Sequence, residues 1–134
     1  MGLIVLDAGV VIGLLDAGDC HHAGARTALA ALLGDAHDLV LPASAYAECL
    51  VSPSRRGPTA VGIVDQFLDA LPARIEPVSR AITVAAAGLR AEHGPALRLP
   101  DALVVATALV LGAEEIVTTD AGWPSLPVRV SVLP

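Results

Sequence analysis

Four acidic residues stand at positions from which carboxylates could take part in metal-assisted chemistry: Asp7, Glu48, Asp101 and Asp120. Asp7 follows the short apolar run Leu3 to Leu6, and Asp120 follows Ile116-Val117-Thr118-Thr119, so both come where a predicted strand ends. Asp101 opens the most apolar predicted helix of the chain. Glu48 lies in a predicted helix that otherwise carries almost no charge, which is unusual for a solvated helix face.

Each carboxylate also has an ordinary structural explanation. Asp7 could cap a helix, Asp101 could interact with a helix dipole, and Asp120 could be a turn residue. The combination is more informative, because the carboxyl ends of parallel strands meet at one edge of a sheet. Carboxylates that share a site repel each other unless something neutralises them. Mg²⁺ or Mn²⁺ suits such oxygen ligands, and it can activate water for attack on a phosphodiester.

The elements that must position these acids alternate along the chain between strands and helices. That order predicts an α/β domain with a mainly parallel sheet. The predicted strands are 3–6, 38–41, 74–78, 115–119 and 128–132. The predicted helices are 8–15, 19–33 with Asp19 as its cap, 44–51, 59–71, 79–93 with Ser79 as its cap, and 100–111. The segment Ser-Pro-Ser-Arg-Arg-Gly-Pro at 52–58 is predicted to be a loop.

Composition limits the possible functions. A chain of 134 residues, 54% of them hydrophobic, is long enough for one domain with a real core. The net charge of −6, with arginine as the only strongly basic residue type, is not typical of a nucleic-acid-binding protein. Metal held by several acids would reverse the local charge. The sequence shows neither a signal peptide nor a membrane span, so we expect a cytoplasmic protein.

Three arginines are candidates for contact with RNA phosphate: Arg55, Arg56 and Arg98. Arg55 and Arg56 lie in the predicted loop after Glu48, and the alternative for this pair is an ordinary solvated surface. Arg98 precedes Asp101 by three residues and could offset the acidic charge. The two cysteines are interpreted as structural thiols, since their spacing does not suggest a zinc site.

With these residues placed, the sequence resembles the PIN-domain family, and within it the VapC-type toxins of bacterial toxin–antitoxin pairs. The resemblance extends over nearly the whole chain, 1–134, as a single PIN domain. The segments that carry it are Ile4-Val5-Leu6-Asp7, the helix around Glu48, Leu99-Pro100-Asp101-Ala102 with the apolar residues that follow, and Val117-Thr118-Thr119-Asp120.

The resemblance implies a three-layer α/β/α sandwich and an Mg²⁺-dependent endoribonuclease that cleaves structured RNA, such as tRNA or rRNA, with Mn²⁺ able to substitute. It implies that Asp7, Asp101 and Asp120 bind metal, and that Glu48 binds metal or orients metal-bound water. Thr118 matches a hydroxyl position that supports the acids. The resemblance further implies a homodimer and a VapB-type antitoxin that covers the site.

One departure from the family pattern concerns the residues after the first aspartate. The family usually has Ser or Thr there, whereas this chain has Ala8 and Gly9. Loss of such support can weaken metal affinity or activity by about 10–100-fold. The alternative function is therefore a weakly active or inactive PIN-like module that binds an antitoxin or RNA. Trp123 stands where Phe is more usual, and we interpret it as a packing change.

Phosphate-transferring enzymes with an aspartate nucleophile are a rival class on a similar sheet. Haloacid-dehalogenase-like enzymes need a second aspartate two residues after the first, and Gly9 occupies that position. Those enzymes and phosphorelay receivers also need a lysine, and the chain has none. These two features exclude that class.

Overall fold

The computed structural model describes residues 2–134, in which strands and helices alternate. Its strands are β1 (Leu3–Leu6), β2 (Asp38–Pro42), β3 (Ala73–Glu76), β4 (Glu115–Thr118) and β5 (Arg129–Val132). Its helices are α1 (Ala8–Leu15), α2 (His22–Gly34), α3 (Ala43–Arg56), α4 (Pro58–Ala70), α5 (Arg80–His93) and α6 (Leu99–Leu111), with a 3₁₀ turn at Gly94–Ala96. Across these residues, no helix has the length and apolar character needed to span a membrane.

The strands form one parallel sheet in the order β3-β2-β1-β4-β5. The central strand β1 is a run of four apolar residues, as expected for a strand covered on both faces. It pairs with β2 on one side and with β4 on the other, where Leu6 lies opposite Val117. The predicted α/β class with a parallel sheet is confirmed.

Two apolar cores cover the two faces of the sheet. Alternate residues of β1 point to opposite faces, so Val5 joins one core while Ile4 and Leu6 join the other. The larger core also takes buried residues from α3, α4, α5 and α6, and the smaller one takes Ala25 from α2, while α1 contributes buried residues to both cores. Helices therefore lie on both sides of the sheet, which gives the predicted three-layer sandwich.

The predicted loop at 52–58 is wrong, because α3 continues through this segment to Arg56. Pro53 lies inside the helix and is buried, although proline cannot donate the helical backbone hydrogen bond. Gly57, with φ of 111°, then separates α3 from α4, and Pro58 opens α4. Arg55 and Arg56 thus lie in the last helical turn rather than in a loop.

Smaller differences concern the ends of elements. Asp19 does not cap α2, which begins at His22; its carboxylate instead accepts a hydrogen bond from the His21 amide, 2.8 Å away, in the preceding turn. Strand β3 ends at Glu76, before Pro77, rather than at Val78. Ser79 does cap α5, since its hydroxyl accepts a hydrogen bond from the Ile82 amide at 3.1 Å.

Candidate active site

The candidate site lies at the carboxyl edge of the sheet, between β1 and β4. The connection from β1 leads to β2 on one side, while β4 and β5 fill the other side, so the strand order reverses here. Such a reversal opens a crevice outside the strand ends, which is where open α/β sheets bind ligands. Asp7 directly follows β1, and its amide donates a hydrogen bond to the Val117 carbonyl of β4 at 2.9 Å. This bond places Asp7 at the crevice.

Asp7 is fixed by hydrogen bonds to both of its carboxylate oxygens. Oδ1 accepts a bond from the Ala8 amide at 2.8 Å, so Asp7 does cap α1. Oδ2 accepts a bond from the Thr118 hydroxyl at 2.7 Å. The Thr118 hydroxyl in turn accepts a bond from the Asp120 amide at 3.1 Å. Thr118 therefore connects the backbone of Asp120 to the side chain of Asp7.

Burial and neighbouring charge act together on Asp7. The residue is only 8% exposed, and burial raises the pKa of its carboxyl group. The hydrogen bonds from Thr118 and Ala8 lower that pKa, while the nearby Asp120 carboxylate raises it further. The net direction is upward, so the fold holds this carboxylate at an electrostatic cost.

The other acids contribute to the same electrostatic environment. Partial burial raises the pKa of Asp101, and repulsion from Asp7 and Asp120 adds to the increase. Glu48 lies on the exposed side of α3. Partial burial of its carboxyl group raises its pKa, and the negative charges of Asp7 and Asp101 raise it further. Asp7, Glu48 and Asp101 thus each have a raised pKa to which another of the four sequence-predicted acids contributes.

The arginines differ in their relation to this acidic site. The Arg98 Nε lies 4.0 Å from an Asp101 carboxylate oxygen, and its charge lowers the pKa of Asp101 and of Glu48. Its side chain is 79% exposed, so it remains accessible to a ligand. Arg56 lines a groove beside Glu48. Arg55 is exposed at the end of α3, and no contact ties it to the acids.

A groove of about 440 Å³ adjoins the acidic site between α1, α3 and α4. Its floor and walls are mainly apolar, with Glu48 and Arg56 among its few charged residues. The apolar residues are Ile12, Leu15, Cys49, Pro53, Ala60, Ile63 and Val64. Burial raises the pKa of the Cys49 thiol to about 12, with Glu48 and Asp7 adding to the effect. Cys49 is therefore an inert packing residue, as interpreted from sequence.

The sequence did not predict that the indole of Trp123 lies near an acid of the site. Trp123 packs against the larger core, as a packing change would predict. Its indole Nε1 is also buried without an acceptor at hydrogen-bonding distance, yet it lies near enough to Asp101 to lower that residue's pKa. The only signal in the sequence was the indole N–H itself, which needs a polar partner when buried.

The carboxylates supply a donor set suited to a hard divalent cation, since they are oxygen ligands without thiol or imidazole. Within residues 2–134, no three His, Cys, Asp or Glu side chains converge closely enough to hold an ion as they stand. The pKa values of Asp7, Glu48 and Asp101 are raised first by burial and then by repulsion from neighbouring carboxylates, and a bound cation would relieve that repulsion. The chemistry of the residues present therefore fits a divalent metal.

Comparison with known proteins identifies the family. The sequence model of the PIN domain matches residues 4–128. This chain belongs to the PIN-domain family. The resemblance to the PIN-domain family is thereby confirmed, and Asp7 and Asp120 of this PIN domain follow the adjacent strands β1 and β4. No curated protein matches the chain at a significant level.

Solved structures share the fold of this PIN domain. The VapBC2 complex of Rickettsia felis, bound to a promoter DNA fragment, has a TM-score of 0.77 at 16% identity over 98% of this chain and 99% of that chain. The FitAcB structure of Neisseria gonorrhoeae has a TM-score of 0.73 at 20% identity over 95% of each chain. The sarcin–ricin-loop-cleaving toxin VapC20 of Mycobacterium tuberculosis has a TM-score of 0.68 at 20% identity over 84% of this chain and 86% of that chain.

The raised pKa of Asp7 predicts how the stability of the metal-free PIN domain depends on pH. A carboxyl group with a higher pKa in the folded state stabilises the fold below its unfolded pKa, near 3.8, and this stabilisation is lost as pH rises through the folded pKa. We expect the native protein to lose stability relative to Asp7→Asn as the pH rises from about 4 to about 7. Urea denaturation in EDTA measures both proteins. A stability difference that stays constant over this range would contradict the prediction.

Proposed function

We propose that this PIN domain is an Mg²⁺-dependent endoribonuclease, with Mn²⁺ able to substitute, that acts as the toxin of a toxin–antitoxin pair. In this proposal, four carboxylates provide the metal site: Asp7, Glu48, Asp101 and Asp120. The observation that carries it is that Asp7, Glu48 and Asp101 each have a raised pKa to which another of these four acids contributes, beside the point where the strand order reverses. Because neighbouring like charges lower the stability of the folded state, stability alone does not explain this arrangement.

The chain's own residues have distinct tasks in this site. Asp7, Asp101 and Asp120 would hold the metal, and Glu48 would hold it or orient its water. The Thr118 hydroxyl keeps the Asp7 carboxylate in one orientation, because it donates to Oδ2. When bound, the metal would supply an acidified water and neutralise charge on the phosphodiester. Neutralisation would also explain how an acidic protein accepts an anionic substrate.

Structured RNA is the substrate class that we infer, such as tRNA or rRNA. The proposal is supported by the fold shared with VapC20, a sarcin–ricin-loop-cleaving toxin. Arg98 is placed to contact a phosphate next to the acids, and Arg56 could do so from the groove. Arg55 is the weaker candidate, as it is exposed at the helix end without a link to the site. Aromatic residues make up only 2% of the chain, which favours recognition of RNA shape over base stacking.

A VapB-type antitoxin is the partner that we infer for the groove between α1, α3 and α4. Its apolar lining next to Glu48 suits a peptide segment that packs side chains while it covers the acids. Structures with this fold include VapBC2 and a toxin–antitoxin complex from Klebsiella pneumoniae. We also propose a homodimer, which light scattering of the purified protein would test.

The function is tested by incubating the antitoxin-free protein with end-labelled, unfractionated transfer RNA and an rRNA hairpin. We expect cleavage with Mg²⁺ or Mn²⁺ and none with EDTA. Absence of cleavage with both metals and both RNAs, in a protein that still binds RNA or antitoxin, would overturn the proposal in favour of a binding module. Cleavage that continues in EDTA would overturn the metal requirement.

A further inference from the structure

The indole N–H of Trp123 is a buried hydrogen-bond donor without a normal acceptor. Its Nε1 is shielded from solvent, and within residues 2–134 no acceptor meets it at hydrogen-bonding distance and angle. An indole nitrogen can only donate, and a buried one usually has a partner, because an unpaired buried donor lowers stability. The side chain on which this donor acts therefore indicates its role.

The carboxylate of Asp101 is the complementary case, an acceptor without a fixed donor. Asp7 accepts hydrogen bonds at both oxygens, and Asp120 Oδ1 accepts one from the Gly122 amide at 2.7 Å. Among residues 2–134, the polar contact of Asp101 is with the Arg98 Nε, 4.0 Å away on a side chain that is 79% exposed. The Asp101 side chain itself is only 18% exposed. Of these three aspartates, Asp101 is the one whose orientation no hydrogen bond of normal length fixes.

The unpaired donor and the unpaired acceptor are neighbours in the fold. Burial and the charges of Asp7 and Asp120 raise the pKa of Asp101, whereas the Trp123 indole lowers it. A hydrogen-bond donor has this effect because it stabilises the ionised form of the carboxyl group, and hydrogen bonds act only at short range. The Trp123 N–H therefore lies beside the Asp101 carboxylate.

The indole is held in place by its own surroundings. Its ring packs against the larger core, and the turn before it is closed by the hydrogen bond from the Gly122 amide to Asp120. One short segment thus carries an acid of the site, Asp120, and a donor that acts on another, Asp101. A rigid ring fixed by packing presents its N–H in one direction, as a group that orients a metal ligand must.

We propose that the Trp123 indole N–H donates a hydrogen bond to the Asp101 carboxylate and orients it for metal binding, so that Trp123 is a positioning residue. This inference rests on the metal site proposed above. Carboxylates that bind metal are commonly held by such hydrogen bonds, and one bond of this kind leaves the second oxygen for the cation. Phenylalanine, which is more usual at this position in the family, has no donor. The presence of Trp123 is therefore a functional change as well as a packing change.

The hydrogen bond is tested first without metal, through the indole proton of the only tryptophan in the chain. In ¹⁵N-labelled protein with EDTA, this proton gives one indole resonance, which moves downfield when the N–H donates to a carboxylate. We expect it to move upfield in Asp101→Leu, which removes the acceptor, and to stay in place in Glu92→Gln, the matched control on α5. A resonance at the same position in Asp101→Leu and the native protein would overturn the proposal.

The positioning role is tested by Mn²⁺ binding to Trp123→Phe, followed by electron paramagnetic resonance. Phenylalanine keeps an aromatic ring in the core and removes the N–H, so we expect the dissociation constant to rise about tenfold or more. Phe67→Leu is the control for packing, because Phe67 of α4 lies against the same core. It should lower the urea midpoint and leave Mn²⁺ binding unchanged.

Double variants show whether Trp123 acts through Asp101. Trp123→Phe should weaken Mn²⁺ binding little further in Asp101→Leu, which lacks the oriented carboxylate, but by the full factor in Asp120→Asn. Equal losses in both backgrounds would show that Trp123 acts through packing and would overturn the proposal.

The outcomes separate this inference from the proposed function. If the native protein binds Mn²⁺ and Trp123→Phe binds it as tightly, the inference alone is wrong. If the native protein binds no Mn²⁺, the metal site and the positioning role are both overturned, whatever the indole resonance shows.

Discussion

Asp101→Asn is expected to reduce metal-dependent RNA cleavage by about 100-fold or more, the loss typical when a group that stabilises charge at a reacting centre is removed. Asparagine keeps the size of the side chain but removes its charge. The fold should persist, because the ion pair with Arg98 is long, at 4.0 Å, and the Arg98 side chain is 79% exposed, so the pair contributes little stability. Cleavage of end-labelled transfer RNA in Mg²⁺ measures the loss, and urea denaturation checks the fold.

Glu92→Gln is the matched control for this prediction. It removes one negative charge from a carboxylate on α5 that is 72% exposed and lies outside the acidic site. Its cleavage rate should equal that of the native protein. Equal activity of Asp101→Asn and the native protein would contradict the role of Asp101, whereas equal losses in both variants would indicate a general charge effect.

Thr118→Val is expected to weaken the site through Asp7. Thr118 is fully buried, and valine would leave Asp7 Oδ2 without its donor and the Asp120 amide without its acceptor. Unsatisfied buried groups of this kind cost about 1–3 kcal/mol of stability. Loss of support for a metal ligand typically reduces metal affinity or activity by about 10–100-fold. The Mn²⁺ concentration for half-maximal cleavage should therefore rise.

Thr118→Ser distinguishes the hydroxyl from the shape of the side chain. Serine retains the donor and acceptor and loses only a methyl group, so the metal requirement should stay close to that of the native protein. A serine variant as impaired as the valine variant would show that packing, rather than the hydrogen bond to Asp7, supports the site.

The positions of Asp7 and Asp120 after adjacent strands could be predicted from local sequence patterns. Asp7 follows an apolar run, Asp120 follows Ile-Val-Thr-Thr, and parallel pairing of β1 with β4 places these two strands side by side. α6 also ends at Leu111, as predicted for the helix 100–111, and Gly112 follows it with a left-handed φ of 67°. These features depend on near neighbours in sequence, which is why they could be derived before the fold was known.

Features that depend on distant contacts could not be derived in this way. Local composition at 52–58 favours a loop, but α3 remains helical to Arg56 with Pro53 buried within it. The Thr119 side chain packs over Gly9, where a Cβ would otherwise stand. These residues are 110 positions apart in the sequence, so no local pattern predicts the contact. The proximity of the Trp123 indole to Asp101 is likewise a contact between residues distant in sequence, which no local pattern predicts.

Binding of Mn²⁺ to the metal-free protein tests most directly whether the four carboxylates form a metal site. The electron paramagnetic resonance signal of free Mn²⁺ reports binding without any need for an RNA substrate. We expect the native protein to reduce this signal with a saturable dependence on concentration, and Asp101→Asn and Asp120→Asn to bind more weakly, while Glu92→Gln binds as the native protein does. A native protein that leaves the signal unchanged, or variants that bind as tightly as the native protein, would contradict the metal site.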